Sequence, residues 1–236
     1  MTKTAGPVHY IPRNQYKSEV RRLRTELLAA QDRLGHARFP VLIVFGGVAG
    51  AGKSETINQL NQWLDPRGIV TRAFDVPSQE ERERPEYWRY WLSLPPKGKI
   101  GMYLNGWYES PLHNFAYGRI DRAAFKRKLD RIDAFERELA DDGALLLKFW
   151  IHIDKDEQFQ RFKDRQVTPY KRWKMTDEDW RNREKWNHYE AAVDDMVART
   201  NTDCAPWTLV EGNDKRFARI KVIRALCERL QQALDA

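Results

Sequence analysis

Gly47-Val48-Ala49-Gly50-Ala51-Gly52-Lys53-Ser54 fits the phosphate-loop pattern G-x-x-x-x-G-K-[ST] over its whole length. The apolar run at 41–45, Val-Leu-Ile-Val-Phe, precedes it and reads as a buried strand. Residues 55–64 follow and read as a helix with Ile57, Leu60 and Leu64 on one face. Strand, glycine loop and helix together form the context in which such a loop holds phosphate. Gly47, Gly50 and Gly52 let backbone N–H groups turn toward an anion. The helix dipole adds to that field. Lys53 supplies a point charge for a terminal phosphate, and Ser54 a hydroxyl for Mg²⁺.

The chain has 236 residues, enough for one large α/β domain, and a net charge of +7. That charge favours polyanionic partners: nucleotides, polyphosphate, nucleic acid or an anionic surface. Cys204 and Cys227 are the only cysteines and show no metal-like spacing, so a reducing, cytoplasmic setting is expected. Residues 1–12 lack the apolar core of a signal peptide, and no apolar run approaches a membrane span. No membrane partner is expected. Nucleic acid binding has only charge and nine tryptophans in its favour, and it too is not expected.

Outward from the loop, strand and helix patterns alternate. An extended arm at 1–13 leads into a helix at 14–35, the two forming an N-terminal segment over 1–39. Asp65-Pro66-Arg67-Gly68 is a turn. Further strands are expected at 69–74, 100–104, 144–153 and 207–210. Helices are expected at 78–91, 121–141, 155–165 and 176–199 and from Asp214 to the end, with 105–119 irregular. Alternation of this kind implies a parallel sheet with helices on both faces, in a single domain over 1–236.

Phosphoryl transfer needs a second charge device, commonly a carboxylate at a strand end that positions Mg²⁺. Asp75 follows one strand and is the candidate metal ligand beside Ser54. Asp154 follows another, but its position suits a helix cap. A basic cluster containing Arg161, Arg165, Lys171 and Lys174 follows the strongest strand. Cations on helices there read as a phosphate-facing lid over about 160–190. These features alone admit an ordinary ATP-dependent small-molecule kinase.

Several short motifs resemble the polyphosphate kinase 2 family in their order. They are Gly52-Lys53, Asp65-Pro66-Arg67-Gly68, Pro77-Ser78, Arg89-Tyr90, Trp107-Tyr108, Trp173-Lys174, Lys185-Trp186, Ala205-Pro206-Trp207 and Asp214-Lys215. The resemblance runs from about residue 14 to the end. It implies a P-loop kinase-like three-layer sandwich, similar to thymidylate kinases, with a parallel sheet and a helical lid. It also implies Mg²⁺-dependent phosphoryl transfer between inorganic polyphosphate and a nucleotide such as AMP or ADP. On that pattern Lys53, Arg67 and Arg165 are catalytic, and Arg89, Arg161, Lys171, Lys174 and Lys215 contact phosphate or nucleotide. The family usually carries Asp where this chain has Ala49, Asp-Arg where it has Leu104-Asn105, and Glu-Arg where it has Asn114-Phe115. The departures resemble the N-terminal half of two-domain polyphosphate:AMP phosphotransferases. They imply impaired catalysis, or a binding or assembly role beside a second catalytic domain or a further copy of the chain.

Overall fold

The computed structural model describes residues 9–236, apart from the side chain of Lys174. Residues 1–8 of the expected arm lie outside the described residues. The chain begins with α1 (Arg13–Leu34), β1 (Val41–Gly47), α2 (Lys53–Trp63) and β2 (Ile69–Ala73). Two short helices, α3 (Gln79–Arg82) and α4 (Trp88–Trp91), lead to β3 (Ile100–Leu104). Then come α5 (Glu109–Ala116), α6 (Arg122–Asp141), β4 (Leu145–His152) and α7 (Lys155–Val167). The chain closes with α8 (Asp177–Glu184), α9 (Trp186–Thr200), β5 (Trp207–Glu211) and α10 (Lys215–Asp235).

All five strands are parallel, in the order β2-β3-β1-β4-β5. β1 is central because both its faces are apolar. Val41, Ile43 and Phe45 pack with α1, α2 and α10, while Leu42 and Val44 pack with α5, α6 and α9. The result is three layers. The links after β1 and β4 leave in opposite directions, to β2 and β5, which opens a crevice at the carboxyl ends of these neighbours.

Local chemistry sets the helix ends. Asp121, Asp154 and Asp214 each cap a helix with a side-chain oxygen. Ser78 and Glu81 form a capping box, but the helix expected over 78–91 is two helices. Pro85 lies between them and has no N–H to continue the ladder. The helix expected over 176–199 is likewise divided, with Lys185 between α8 and α9. Residues 105–119, expected to be irregular, contain a 3₁₀ turn at Gly106–Tyr108 and then α5.

Candidate functional site

The loop after β1 sits at the crevice between β1 and β4. Gly47 pairs with Ile151, and a Cβ at Gly47 would collide with the Ile151 carbonyl. Gly52 is left-handed at φ 103° and caps α2. Side chains and local turns take the loop carbonyls. Lys53 Nζ donates to Gly47 O at 2.6 Å and Val48 O at 3.4 Å. Gln158 Nε2 donates to Ala49 O at 2.9 Å, and Arg161 Nη1 donates to Gly50 O and Ala51 O at 3.1 Å each. The Thr56 hydroxyl donates to Gly52 O at 3.0 Å. Among the described residues, no backbone carbonyl accepts from the N–H groups of Ala49, Gly50, Gly52 or Lys53. The loop therefore offers donors to an anion and keeps its acceptors turned away.

Two clefts share this loop as their common wall. The first, about 320 Å³, is lined by Lys53, Ser54, Asn105, Glu109 and Arg165, with Leu112, Trp150, Trp186 and Tyr189 as apolar surface. Its charged lining is two cations, Lys53 and Arg165, against four carboxylates, Glu55, Glu109, Glu178 and Asp179. The second, about 250 Å³, carries Arg161, Arg165, Lys171, Lys215 and Arg219 against Glu55 and Asp164. Burial pushes the Lys53 ammonium below the usual lysine range, and Glu109 and Asp179 oppose that shift. Lys215 is pushed down by desolvation first and then by the nearby Arg161 and Lys171, with Glu157 and Glu55 opposing.

The structure brings together Gly47, Gly50, Gly52, Lys53, Ser54 and Arg165 at the first cleft, and Arg165, Lys171 and Lys215 at the second. The Lys174 side chain lies outside the described residues. Arg161 lines the second cleft, but all its donors go to protein atoms, so the phosphate contact expected of it is corrected. Arg67 is not at the loop. Ile69 pairs with Ile100, which pairs with Val41, so Arg67 stands at the amino ends of the strands, roughly 20 Å from the loop. There it is exposed and pairs with Asp65 at 2.6 Å. Arg89 is also outside both clefts. It lies over the Phe74 ring and donates to Asp75 O at 3.0 Å. Asp75 follows β2, two strands and roughly 10 Å to the side of β1, so it does not join Ser54.

Two residues that the sequence did not assign to the site line its first cleft. Glu109 opens α5 and brings a carboxylate to the first cleft. Asn105 adopts φ 65°, the only positive φ of a non-glycine residue among those described, and its Oδ1 is buried without a hydrogen-bond partner. Strain of this kind clusters at functional sites. The departure from Asp-Arg at 104–105 drew attention to Asn105, but nothing local marked Glu109.

A parallel sheet in this order, with a glycine loop of the pattern G-x-x-x-x-G-K-[ST] at its crevice and helices on both faces, defines a P-loop kinase-like α/β protein. The chain belongs to the polyphosphate kinase 2 family: the family profile Polyphosphate kinase 2 (PPK2) matches residues 10–235. It is 42% identical over 235 residues to the polyphosphate:AMP phosphotransferase of Pseudomonas aeruginosa, covering 99% of this chain and 47% of that protein. It is 32% identical over 218 residues to the GDP-polyphosphate phosphotransferase of Mycobacterium tuberculosis, covering 92% of this chain and 74% of that one. The crystal structure of polyphosphate kinase 2 from Arthrobacter aurescens superposes with a TM-score of 0.90 at 28% identity, covering 96% of this chain and 82% of that one. The chain spans about half the length of the polyphosphate:AMP phosphotransferases that it matches. Among the described residues, no helix is long and apolar enough to cross a membrane.

Proposed function

We propose that this chain is a polyphosphate-dependent nucleotide phosphotransferase domain of low intrinsic turnover. The observation that carries the reading is the phosphate loop as the shared wall of two clefts of different character. The cationic cleft suits a polyphosphate chain, with Arg165, Lys171 and Lys215 as contacts. The mixed cleft suits a nucleotide of low charge, a nucleoside monophosphate, with its base against Trp186 and Tyr189. The name of the Pseudomonas aeruginosa relative, polyphosphate:AMP phosphotransferase, supports that acceptor.

The residues fit Mg²⁺ in part. A hard dication takes oxygen ligands and keeps several from water and substrate phosphates. Ser54 and Glu109 offer oxygens in the first cleft and would hold it there; Asp75 would not. When bound, the metal would offset phosphate charge. Lys53 and the loop N–H groups hold the phosphoryl group, and Arg165, lining both clefts, stands where donor and acceptor meet. Ala49 and Leu104 line the first cleft without carboxylates, which supports the low turnover. The same two residues favour a second reading, a non-catalytic binding domain beside a catalytic one.

A coupled assay tests both readings, using purified protein, polyphosphate, Mg²⁺ and AMP or ADP, with ATP as a control donor. Slow but polyphosphate-dependent ATP or ADP formation supports the first. Binding of both ligands without any product supports the second. Transfer from ATP alone would overturn both.

A further inference from the structure

Arg161 is 4% exposed and Gln158 is 2% exposed, although both are polar and lie against the loop. They are three residues apart on α7 and so share one face. A guanidinium has five N–H donors. Nε of Arg161 donates to Glu157 Oε1 at 2.6 Å, and Nη1 to Gly50 O and Ala51 O. Nη2 donates to Gly212 O at 2.7 Å and Asn213 O at 3.0 Å. No donor is left for a phosphate. The amide of Gln158 is used at both ends: Nε2 holds Ala49 O, and Oε1 accepts from Arg183 of α8 at 3.4 Å.

We infer that Arg161 and Gln158 are positioning residues that hold the loop carbonyls and thereby aim its N–H groups at the anion site. In a trans peptide the carbonyl of one residue and the N–H of the next point in opposite directions. Holding Ala49 O therefore turns the Gly50 N–H the other way, and holding Ala51 O does the same for the Gly52 N–H. These N–H groups are among those that no backbone carbonyl takes. Glycines alone would leave the loop free to flip its peptides. The same guanidinium fixes Gly212 and Asn213, just before the cap of α10 and its first residue, Lys215. One buried side chain thus sets two parts of the second cleft. The inference rests on the phosphate-binding reading of the loop.

The test compares wild type with Arg161→Lys and Gln158→Leu, with Arg161→Gln as a control that removes the charge. Lysine keeps the charge but cannot span both groups of carbonyls from one nitrogen. Leucine keeps the volume of Gln158 and loses the donor. Amide hydrogen exchange over residues 48–54, read at the Val48 and Ala51 N–H groups that donate to Ile151 O and Val48 O, is measured on the ligand-free protein, and tripolyphosphate binding at several salt concentrations. The expected result is faster exchange in the loop with β4 unchanged. Tripolyphosphate binding weakens roughly 10- to 100-fold, the scale set by a small misplacement of binding groups. The salt dependence of binding stays as in wild type, because no ligand charge is removed. Unchanged loop exchange in both variants would overturn the inference. So would a shallower salt dependence for Arg161→Gln with an unchanged loop, which would make Arg161 a phosphate ligand. If Arg161→Lys fails to fold, Gln158→Leu carries the same readouts. If wild type does not bind tripolyphosphate, the functional reading fails, and loop exchange still decides whether α7 holds the loop.

Discussion

The Lys148 ammonium lies 2.6 Å from Glu136 Oε2, and neither side chain has any exposed surface. Lys148 also donates to the Tyr108 hydroxyl at 2.9 Å and to Thr200 O at 2.7 Å. Glu136 Oε1 accepts from Trp107 Nε1 and the Tyr108 hydroxyl. Burial works against both charges, lowering the pKa of Lys148 and raising that of Glu136, and the hydrogen bonds oppose it. The network joins β4, α6, the end of α9 and the turn between Asn105 and Glu109. Lys148→Met leaves a buried carboxylate unpaired and is expected to destabilise the fold by about 3–5 kcal/mol. The double variant Lys148→Met with Glu136→Leu should recover much of that loss. Chemical denaturation of the three variants measures this, and equal losses for single and double variants would argue against a coupled pair.

A second expectation concerns pH. Lys53 has a folded-state pKa below the ordinary lysine value, first because it is buried. Glu109, Asp179 and Glu55 act to raise it, and Arg165 to lower it. Phosphate favours the charged form. Tripolyphosphate affinity should therefore fall as pH rises through the alkaline range, beginning below the usual lysine value. In Lys53→Arg the charge persists, so that part of the fall should disappear. Lys53→Ala should weaken binding at neutral pH by about 1.5–3 kcal/mol, the scale of a charged hydrogen bond. Titration calorimetry across pH decides, and identical profiles for wild type and Lys53→Arg would remove Lys53 from the binding site.

A third expectation separates the two clefts. Lys171 and Lys215 line the second cleft and not the first. Lys171→Gln with Lys215→Gln should weaken binding of long polyphosphate, flatten its salt dependence and leave AMP affinity nearly unchanged. Equal losses for both ligands would mean that these lysines support the fold rather than the polyphosphate path.

The strand, glycine loop and helix around Lys53 were legible because all their parts are adjacent in sequence. So were the caps at Asp121, Asp154 and Asp214, which act within a few residues. Arg161 was not, because its partners Gly50 and Gly212 lie 111 and 51 residues away. Its burial is set by tertiary packing, and an arginine in a basic run reads as a solvated or ligand-facing charge. Arg67 was misplaced for a reason the sequence did contain. α2 has 11 residues and carries the chain back about 16 Å, antiparallel to the strands it connects. The turn that follows it must therefore stand at the amino edge of the sheet, away from the loop. Glu109 was hidden because an aromatic and glycine-bearing stretch, Asn105-Gly106-Trp107-Tyr108, masked the start of α5.

The last expectation concerns turnover. Phosphoryl transfer asks a protein mainly for positioning and charge compensation around the moving group. The loop donors and Lys53 are present, so binding should be retained. Ala49 and Leu104 both line the first cleft, so a carboxylate at either position would add to its lining. Ala49→Asp with Leu104→Asp adds two negative charges to a lining that already has an excess of carboxylates. Asn105→Arg is included to offset them. That third change has a structural cost, because residue 105 has a strained backbone at φ 65° and ψ −36° and the larger side chain must fit where Asn105 Oδ1 is buried. A loss of about 1–3 kcal/mol is expected, seen as a lower melting temperature. Even so, polyphosphate-dependent transfer to AMP should rise by roughly 10²-fold or more, the scale of one restored electrostatic device. Single-turnover rates of wild type and the triple variant at saturating Mg²⁺ measure it. A wild-type turnover already in the ordinary kinase range of about 1–100 s⁻¹ would refute the low-turnover reading. In that case Ser54 and Glu109 would suffice to hold the metal without further carboxylates, and Glu109→Gln would be the variant that stops the reaction.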